Sequence, residues 1–528
     1  MSGTTVRPAA GSSRSAAAAA SRLPFKLSPV GAVIVAATLL ALGLRAYQAA
    51  QPGHLLGVGD YDDGADFGSA IRLIHGALPY RDFILVQPPG ITLLMTPAAA
   101  VSVLTGTAWA IAAGRILTIA AAAAAVVLGG LLVRHRGVFA AIVTCGVIAI
   151  YPGSVQAAHT VLLEPWLTAF CLAGAVAAFD GDRLAGGRRL AWGGAALGFA
   201  GAVKVWAIIP VAVIALLSLP RPRRLARFAA GVAAGFLIPV IPFAALAPGR
   251  FYASVVVAQL ARTGARTPLA SRLQYLTGLT AWNLGSIGFA VAAVCLAVVV
   301  VATLIAAWLV TRHGPAPLEW FSVATAGLVV VAFLVPDDFY YHYAAFLAPF
   351  LAMAFALPAA RLIDGWRAPP ARAARLRRCA AGLAGLAILA LPLAAPGAED
   401  SATPTYAQAV AALKRVIPPG SCVLSDEAAL LMSADRFVSS APGCPEIVDG
   451  TGTSYALGHG QNALSAGRVA AVAAVWRQAF GAARYVLLTP YNPHRIAWTP
   501  WLRAYFRASF SRVSGNWAPL QLYAREGP

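Results

Sequence analysis

Residues 57–68 read GVGDYDDGADFG and place four carboxylates within seven positions, directly after the first long apolar segment of the chain. The four acids are Asp60, Asp62, Asp63 and Asp66. Charged residues make up only 11% of the sequence, so an acidic cluster of this density stands out. Whether these acids form a solvated loop or a functional site depends on the segments around them.

The composition is that of a polytopic membrane protein. Hydrophobic residues account for 59% of the 528 residues, which is more apolar surface than a soluble domain can bury. The net charge of +20 would suggest a nucleic-acid partner for a soluble protein. Here the cations cluster between apolar segments, which is typical of membrane topology. We therefore expect a membrane environment and no nucleic acid.

Eleven apolar stretches are candidates for helices that cross the membrane. They lie near residues 29–49, 109–133, 138–156, 159–179, 190–203, 205–219, 227–248, 284–311, 320–336, 342–360 and 379–397. Alternation from a cytoplasmic N-terminus places every strongly basic short loop on the cytoplasmic side, as the positive-inside rule requires. The stretch 190–219 is interpreted as two short helices around Lys204, because one long helix would place every later loop on the opposite side of the membrane.

This predicted membrane topology divides the chain into a disordered cytoplasmic tail (1–27), a transmembrane domain (28–397) and an extracytoplasmic domain (398–528). In the last part, the helix-like stretches TYAQAVAALKRVI and GRVAAVAAVWRQAF alternate with the strand-like stretches SCVLS and RYVLLT. That alternation predicts a small α/β domain. Cys422 and Cys444 lie 22 positions apart in it, and a disulfide between them is expected if the domain faces an oxidising compartment.

Two more polar groups fall at predicted helix ends on the outer side. A lysine within the membrane is costly, which makes Lys204 a functional candidate. The segment PDDFYYHYAAFLAPF (336–350) contains Tyr341 and His342, which are either part of an interfacial aromatic belt or ligands of a phosphate or divalent ion. No spacing of carboxylates and histidines selects a metal, so no metal site is predicted and a divalent cation stays an open alternative.

Segment 57–117 resembles the first outer loop of the GT-C superfamily of polyprenyl-phosphate-sugar-dependent glycosyltransferases. That superfamily includes protein O-mannosyltransferases, aminoarabinose transferases, and actinobacterial mannosyl- and arabinosyltransferases. The resemblance rests on the acidic pair followed by AIRLIHGALPYRDF, QPPGITLLM and AWAIAAGRIL. It implies a polytopic α-helical membrane fold with juxtamembrane helices in the first outer loop. The family's catalytic aspartate is matched by Asp62 and Asp63, and Pro88 and Pro89 open the second juxtamembrane helix.

Two other stretches extend the resemblance. HTVLLEPWLTAFCLAGA (159–175) is similar to the family segment with an acidic residue at a helix start, matched by Glu164. GFAGAVKVWAIIP (198–210) resembles the family's turn with a lysine followed by an aromatic residue, matched by Lys204 and Trp206. Gln87 stands where the aminoarabinose branch has a lysine, so the sugar is not defined by the resemblance.

The resemblance implies an enzyme of the cytoplasmic (inner) membrane. It would transfer a hexose or pentose, with inversion, from a polyprenyl-phosphate donor to a lipid or glycan acceptor on the extracytoplasmic face. Asp62 would be the general base, with Asp63 beside it. The Ala-, Arg- and Gly-rich composition suggests a high-GC bacterium and donors of mannose or arabinofuranose. The residues expected to bind the substrates or to compensate the donor phosphate are Asp60, Arg81, Gln87, Glu164, Lys204, Tyr341 and His342.

Two other functions stay open from the sequence. A transporter or flippase of lipid-linked saccharides also has many helices and intramembrane charge, and often has internal repeats. No half-to-half repeat is visible in this sequence. A non-catalytic membrane scaffold, in which the acids hold an ion or a partner, is the second alternative.

Overall fold

A computed structural model describes residues 27–264, 266–365, 370–394, 404–515, 517 and 519–526. The expected N-terminal tail therefore lies outside the described residues, apart from Leu27. The expected domain boundary near residue 397 also lies outside them.

The first part of the chain runs from a long apolar helix to the residue before Lys204. Its elements are α1 (Pro29–Ala49), α2 (Tyr61–Ile74), α3 (Gly90–Ala99), α4 (Ser102–Thr105), α5 (Thr107–Val133), α6 (Gly137–Ile150), α7 (Pro152–Gln156), α8 (Leu163–Ala178), β1 (Phe179–Asp180), β2 (Arg183–Leu184) and α9 (Gly187–Val203).

The second part completes the helical bundle. Its elements are α10 (Ile208–Ser218), α11 (Pro222–Leu246), α12 (Pro248–Tyr252), α13 (Ala258–Leu260), α14 (Leu269–Thr277), α15 (Gly285–Thr311), α16 (Pro317–Leu334), α17 (Ala344–Gly365) and α18 (Pro370–Ala394). A π-helical turn, Ala253–Val257, joins α12 to α13, and a 3₁₀ turn, Tyr341–Tyr343, precedes α17.

Each of the eleven apolar stretches contains an α-helix in the described part of the chain. Six helical segments among the described residues are long and apolar enough to cross a membrane. The protein is thus a multi-pass membrane protein. The number of crossings stays a prediction.

The break at Lys204 is present in the structure. Lys204 ends α9 in an extended conformation, with φ −151° and ψ 134°, and a 3₁₀ turn, Val205–Ala207, leads into α10. Helix α9 is held tightly against α11, because a Cβ on Gly198 would lie 2.1 Å from the carbonyl oxygen of Val232. Close backbone approach at glycine is a common way for helices to associate within a membrane. This packing fixes the helix end that carries Lys204.

The C-terminal part forms the small α/β domain that the alternating pattern predicted. Its elements are α19 (Pro404–Val416), β3 (Val423–Ser425), α20 (Ala428–Ser433), α21 (Gly450–Leu457), α22 (Ala463–Ala466), α23 (Ala470–Ala482), β4 (Tyr485–Leu488), α24 (Asn492–Arg495), α25 (Pro500–Ser509), β5 (Phe510–Arg512) and β6 (Gln521–Arg525).

These strands make one sheet in the order β3-β4-β6-β5. Strand β3 pairs with β4 in parallel, and the other two pairs are antiparallel. Strand β5 was not predicted, because three residues with one buried side chain give no alternating pattern. Cys422, directly before β3, forms a disulfide with Cys444.

The C-terminal domain shares a hydrophobic core with the first outer segment of the chain. Phe67 and Ile71 of α2 are fully buried in one cluster with Leu413 of α19 and Leu522 of β6. A Cβ on Gly64 would lie 2.6 Å from the backbone nitrogen of Ala429, so α2 and α20 are in close contact. The acidic segment therefore rests on the C-terminal domain.

The segment between α11 and α15 bridges the same two parts. Gln259 donates from Nε2 to the carbonyl oxygen of Val86, 2.7 Å away. The backbone N–H of Thr263 donates to the carbonyl oxygen of Gly460, at 2.9 Å. This segment therefore lies between the first outer segment and the C-terminal domain.

Candidate active site

The acidic segment becomes the start of α2. Asp60 is the N-cap, and its Oδ1 accepts from the backbone N–H of Asp62 at 3.0 Å. Aspartate is a favoured N-cap because it satisfies a free N–H of the first turn. The cap places Asp62 in that first turn, where its carboxylate faces His342 from the turn before α17.

A buried ionic cluster lies next to Asp62. The Lys204 ammonium is 2.5 Å from Oε1 of Glu164, and Nδ1 of His342 is 2.8 Å from Oε2 of the same carboxylate. None of the three residues is more than 5% exposed. Glu164 comes from the first turn of α8, Lys204 from the break after α9, and His342 from the turn before α17. Three separate helix ends thus converge on one carboxylate.

Aromatic rings cover the other side of the lysine. Its ammonium lies 3.8 Å from the ring centroid of Trp206 and 4.4 Å from that of Tyr343. A cation over an aromatic face is stabilised by the ring quadrupole, more so when water is excluded. Lys204 is therefore a positive charge held away from bulk solvent, as a binding site for an anion requires.

Asp62 borders this cluster and remains accessible. Its Oδ2 is 3.6 Å from Nε2 of His342, and 46% of its side chain is exposed. Although water reaches this side chain, desolvation by the surrounding protein, followed by the negative charge of Asp60, raises the pKa of Asp62 to about 6. The Tyr341 hydroxyl donates to Oδ2 of Asp60 at 2.7 Å. Asp62 is thus the accessible acid beside a desolvated lysine and histidine.

The expectation that Asp63 works beside Asp62 does not fit these contacts. Asp63 is fully buried and forms an ion pair with the guanidinium of Arg115, 2.8 Å away. Thr160 donates to the same carboxylate oxygen. Adjacent residues on a helix point in directions about 100° apart, so Asp62 and Asp63 face different neighbours. Asp63 anchors α2 to α5.

Two other expected residues also have partners elsewhere. Arg81 is half-exposed and binds the neighbouring Asp82 through two of its nitrogens, at 2.9 and 2.8 Å. Within the described part of the chain, its side chain has no hydrogen bond or ion pair with the cluster. The backbone carbonyl of Gln87 accepts from the Tyr80 hydroxyl at 2.6 Å, which shapes the loop before α3. These contacts favour structural roles for both residues.

Asp66 lies one turn after Asp62 on α2 and is buried. Burial first, and then the negative charge of Asp62, raises the pKa of Asp66 well above its ordinary value. Burial therefore favours the protonated form of Asp66 more than it does for an exposed aspartate.

The C-terminal domain contributes residues that the sequence did not reveal. The Tyr61 hydroxyl donates to Oδ1 of Asp449 at 2.8 Å and accepts from the backbone N–H of Thr451 at 3.0 Å. The Arg495 guanidinium lies 4.3 Å from the centroid of the Tyr61 ring. Asp449 is buried, and burial raises its pKa against the opposing effect of a hydrogen bond from Gly452. These contacts fix the residue directly before Asp62.

Arg262 is a cation of the segment that lies between the first outer segment and the C-terminal domain. It lies between α13 and α14, with its guanidinium 4.6 Å from the centroid of the Tyr455 ring and its Nε 3.8 Å from Asp338. An arginine within a largely apolar outer segment was the available signal for it. Among the described residues, no group of three His, Cys, Asp or Glu side chains is arranged to hold a metal ion.

An apolar cavity of about 400 Å³ lies between helices of the bundle. It is lined by residues of α6, α15 and α17 and by the segment after α14. Tyr151, at its edge, donates to the carbonyl oxygens of Tyr275 and Leu276, and the Tyr275 ring lies 6.4 Å from that of Tyr341. Tyr341 in turn binds Asp60, so two tyrosine contacts link the cavity to the acids.

The fold is shared with known membrane glycosyltransferases. ArnT from Cupriavidus metallidurans matches in the apo state with a TM-score of 0.58 and 14% identity, covering 94% of this chain and 98% of that chain. The same protein bound to undecaprenyl phosphate matches with a TM-score of 0.55 and 14% identity, covering 93% and 97%.

A more distant match is the Archaeoglobus fulgidus oligosaccharyltransferase tethered with an acceptor peptide. Its TM-score is 0.50 at 14% identity, covering 95% of this chain and 74% of that chain. Both proteins belong to the GT-C superfamily, and the resemblance seen in the sequence is confirmed at the level of the fold. No protein-family model and no curated protein matches the chain.

Proposed function

We propose that this protein is a membrane glycosyltransferase that moves a sugar from a polyprenyl-phosphate donor to a hydroxyl of a lipid or glycan acceptor. The observation that carries the proposal is the accessible Asp62 carboxylate, 3.6 Å from His342, at the edge of the buried Lys204–Glu164–His342 cluster. The fold supports it, because the solved structure of one protein with this fold contains undecaprenyl phosphate.

Asp62 acts as the general base in this proposal. Its carboxylate takes the proton of the acceptor hydroxyl while that oxygen attacks the anomeric carbon from the face opposite the phosphate. The bond between the anomeric carbon and the phosphate oxygen breaks, and the electron pair leaves with the polyprenyl phosphate. The configuration at the anomeric carbon is inverted, since the reaction is a single displacement.

The donor phosphate binds beside Lys204 and Arg262. The lysine uses one N–H on Glu164 and retains donors for a phosphate oxygen. Compensation of the charge that develops on a leaving phosphate lowers the barrier, and a cation held away from water acts most strongly. Glu164 keeps the lysine in place, and Tyr341 orients Asp60.

The hydrocarbon chain of the donor enters the apolar cavity of about 400 Å³ next to Tyr151. The cavity wall is built from helices of the membrane bundle, so a chain arriving laterally from the bilayer reaches it without crossing water. Its link through Tyr275 and Tyr341 to Asp60 supports a common substrate path. The same arrangement supports a donor carried by lipid over a soluble nucleotide sugar.

The proposed orientation places Asp62 and the C-terminal domain on the extracytoplasmic side of the inner membrane. Labelling with a membrane-impermeant maleimide tests it in a variant whose exposed Cys295 and Cys379 are changed to serine. Arg81→Cys, half-exposed in the first outer segment, should be labelled in intact cells. Arg378→Cys, at the other end of the bundle, should be labelled only after lysis, and the reverse pattern would rule out the proposed reaction side.

The reaction itself is tested with purified full-length protein and synthetic polyprenyl-phosphate mannose and arabinofuranose. Release of polyprenyl phosphate is followed by mass spectrometry with an envelope lipid extract as acceptor. Wild-type protein should release it from one of the donors, and Asp62→Asn should not. Equal release by the two proteins would exclude Asp62 as the base, and movement of intact donor across vesicles without release would favour a flippase.

A further inference from the structure

A second cavity, of about 370 Å³, lies at the end of the bundle remote from Asp62. It is lined by the turn between α5 and α6, the last turns of α17 and the first part of α18. His342 directly precedes α17, whereas Ile363 and Asp364 near its end line the cavity. A helix of this length spans roughly 30 Å, so the cavity is separate from the candidate active site.

The rim of this cavity carries three arginines. Arg136 lies on one side, with the imidazole of His135 near it, and Arg377 and Arg378 lie on the other. Its single acidic lining residue is Asp364. Phe139 and Ile363 form part of an apolar wall beneath the rim. The cavity therefore combines a positively charged mouth with a hydrocarbon-like interior.

The existing ion pairs hold one side of the rim rigid. Arg136 contacts Asp182 at 2.7 Å and the fully buried Glu319 at 3.2 Å. Arg361 also binds Glu319, at 3.0 Å. A guanidinium oriented by buried or half-buried carboxylates loses little freedom when an anion arrives, so this side is preorganised.

The positive charges on the other side of the rim are not fully paired with carboxylates. Arg377 is paired with Asp364 at 3.3 Å, but both side chains are at least half exposed, and exposed pairs contribute little. Arg378 has no acidic side chain within 4 Å in the described residues. Among the described residues, Arg378 thus has no acidic partner, and Arg377 can exchange its exposed partner Asp364 for another anion.

We propose that this cavity binds the phosphate of an anionic phospholipid, with the start of an acyl chain against Phe139 and Ile363. Guanidinium groups are suited to phosphate oxygens, and basic pockets between membrane helices are suited to anionic headgroups. The apolar wall favours a lipid over a free phosphate. The chain's own first 26 residues are an unsuitable occupant, because they contain three arginines, one lysine and no acid.

The test is native mass spectrometry of the full-length protein in detergent with equal amounts of phosphatidylglycerol and phosphatidylcholine carrying identical acyl chains. Each arginine near a lipid phosphate is worth about fivefold in binding. Wild-type protein should retain phosphatidylglycerol in preference to phosphatidylcholine. The Arg377→Gln/Arg378→Gln variant should lose about tenfold or more of that adduct and keep wild-type thermal stability.

Arg372→Gln/Arg375→Gln is the matched control, because it removes the same charge from exposed positions of α18 outside the cavity. Its adduct should stay at the wild-type level. Equal loss in both double variants would mean diffuse attraction to the helix and overturn the proposal. Full displacement of phosphatidylglycerol by inorganic phosphate would do the same, since it identifies a soluble anion as the ligand. The result does not depend on sugar transfer.

Discussion

The hydroxyl of Tyr61 donates a hydrogen bond to Oδ1 of Asp449, 2.8 Å away, across 388 positions of sequence. Tyr61 directly precedes Asp62, and Asp449 is the N-cap of α21 in the C-terminal domain. The bond therefore ties the candidate base to a domain that is distant in the chain. It indicates that the C-terminal domain helps to position the site, in addition to any contact with the acceptor.

Tyr61→Phe tests whether the hydrogen bond between Tyr61 and Asp449 positions the site. A hydrogen bond to a charged group contributes about 1.5–3 kcal/mol, so the free energy of unfolding should fall by that amount. Transfer should fall as well, because α2 loses its fixed start. Tyr491→Phe is the control, since that ring also faces Arg495, at 5.2 Å, but is 58% exposed. Additive effects of Tyr61→Phe and Asp449→Asn in a double-mutant cycle would contradict the tie.

Asp62→Asn and Asp66→Asn form a matched pair one helical turn apart. Loss of a general base lowers the rate of transfer by about 10²–10⁴. Asp62→Asn should show that loss in the release of polyprenyl phosphate, with unchanged thermal stability. Asp66→Asn should retain most activity, because Asp66 is buried, where an acceptor does not reach it, and burial disfavours its ionised form. The opposite ranking would identify Asp66 as the base.

The rate of transfer should depend on pH through Asp62. The groups that act on it are Asp60, His342, Asp449 and Lys204, and its pKa is raised to about 6. A base acts when ionised, so the rate should rise as the pH increases through about 6 and level off above it. Steady-state rates between about pH 5 and pH 8 check this expectation.

Asp60→Asn tests whether Asp62 controls the pH profile, through the direction in which the midpoint moves. Asparagine is as good an N-cap as aspartate, so α2 should keep its start. Removal of the negative charge stabilises the ionised form of Asp62, so the midpoint of the pH profile should move to lower pH. A shift to higher pH, or none, would mean that another group controls the profile.

The apolar stretches were sufficient to place the helices. Within lipid, every backbone N–H and C=O group needs a hydrogen bond from the protein itself, so an apolar stretch of this length forms a helix. Lys204 and His342 were found because polar residues at apolar helix ends are rare, and Glu164 was found through the family resemblance of its segment. The separation of Asp62 from Asp63 was not predictable, since it depends on the rotation of α2 against Arg115. Asp449 and Arg495 were missed because no local pattern records a contact made by chain folding over hundreds of residues.

Lys204→Met should separate stability from catalysis at the cluster. Removal of one partner of a buried ion pair costs about 3–5 kcal/mol, because the other charge stays buried without compensation. Loss of a preorganised charge at the leaving group should also lower transfer by about 10²–10³. The Lys204→Met/Glu164→Gln variant removes both charges and should regain most of the lost thermal stability while transfer stays low. Recovery of transfer together with stability would show that Lys204 supports the fold alone and does not bind the donor phosphate.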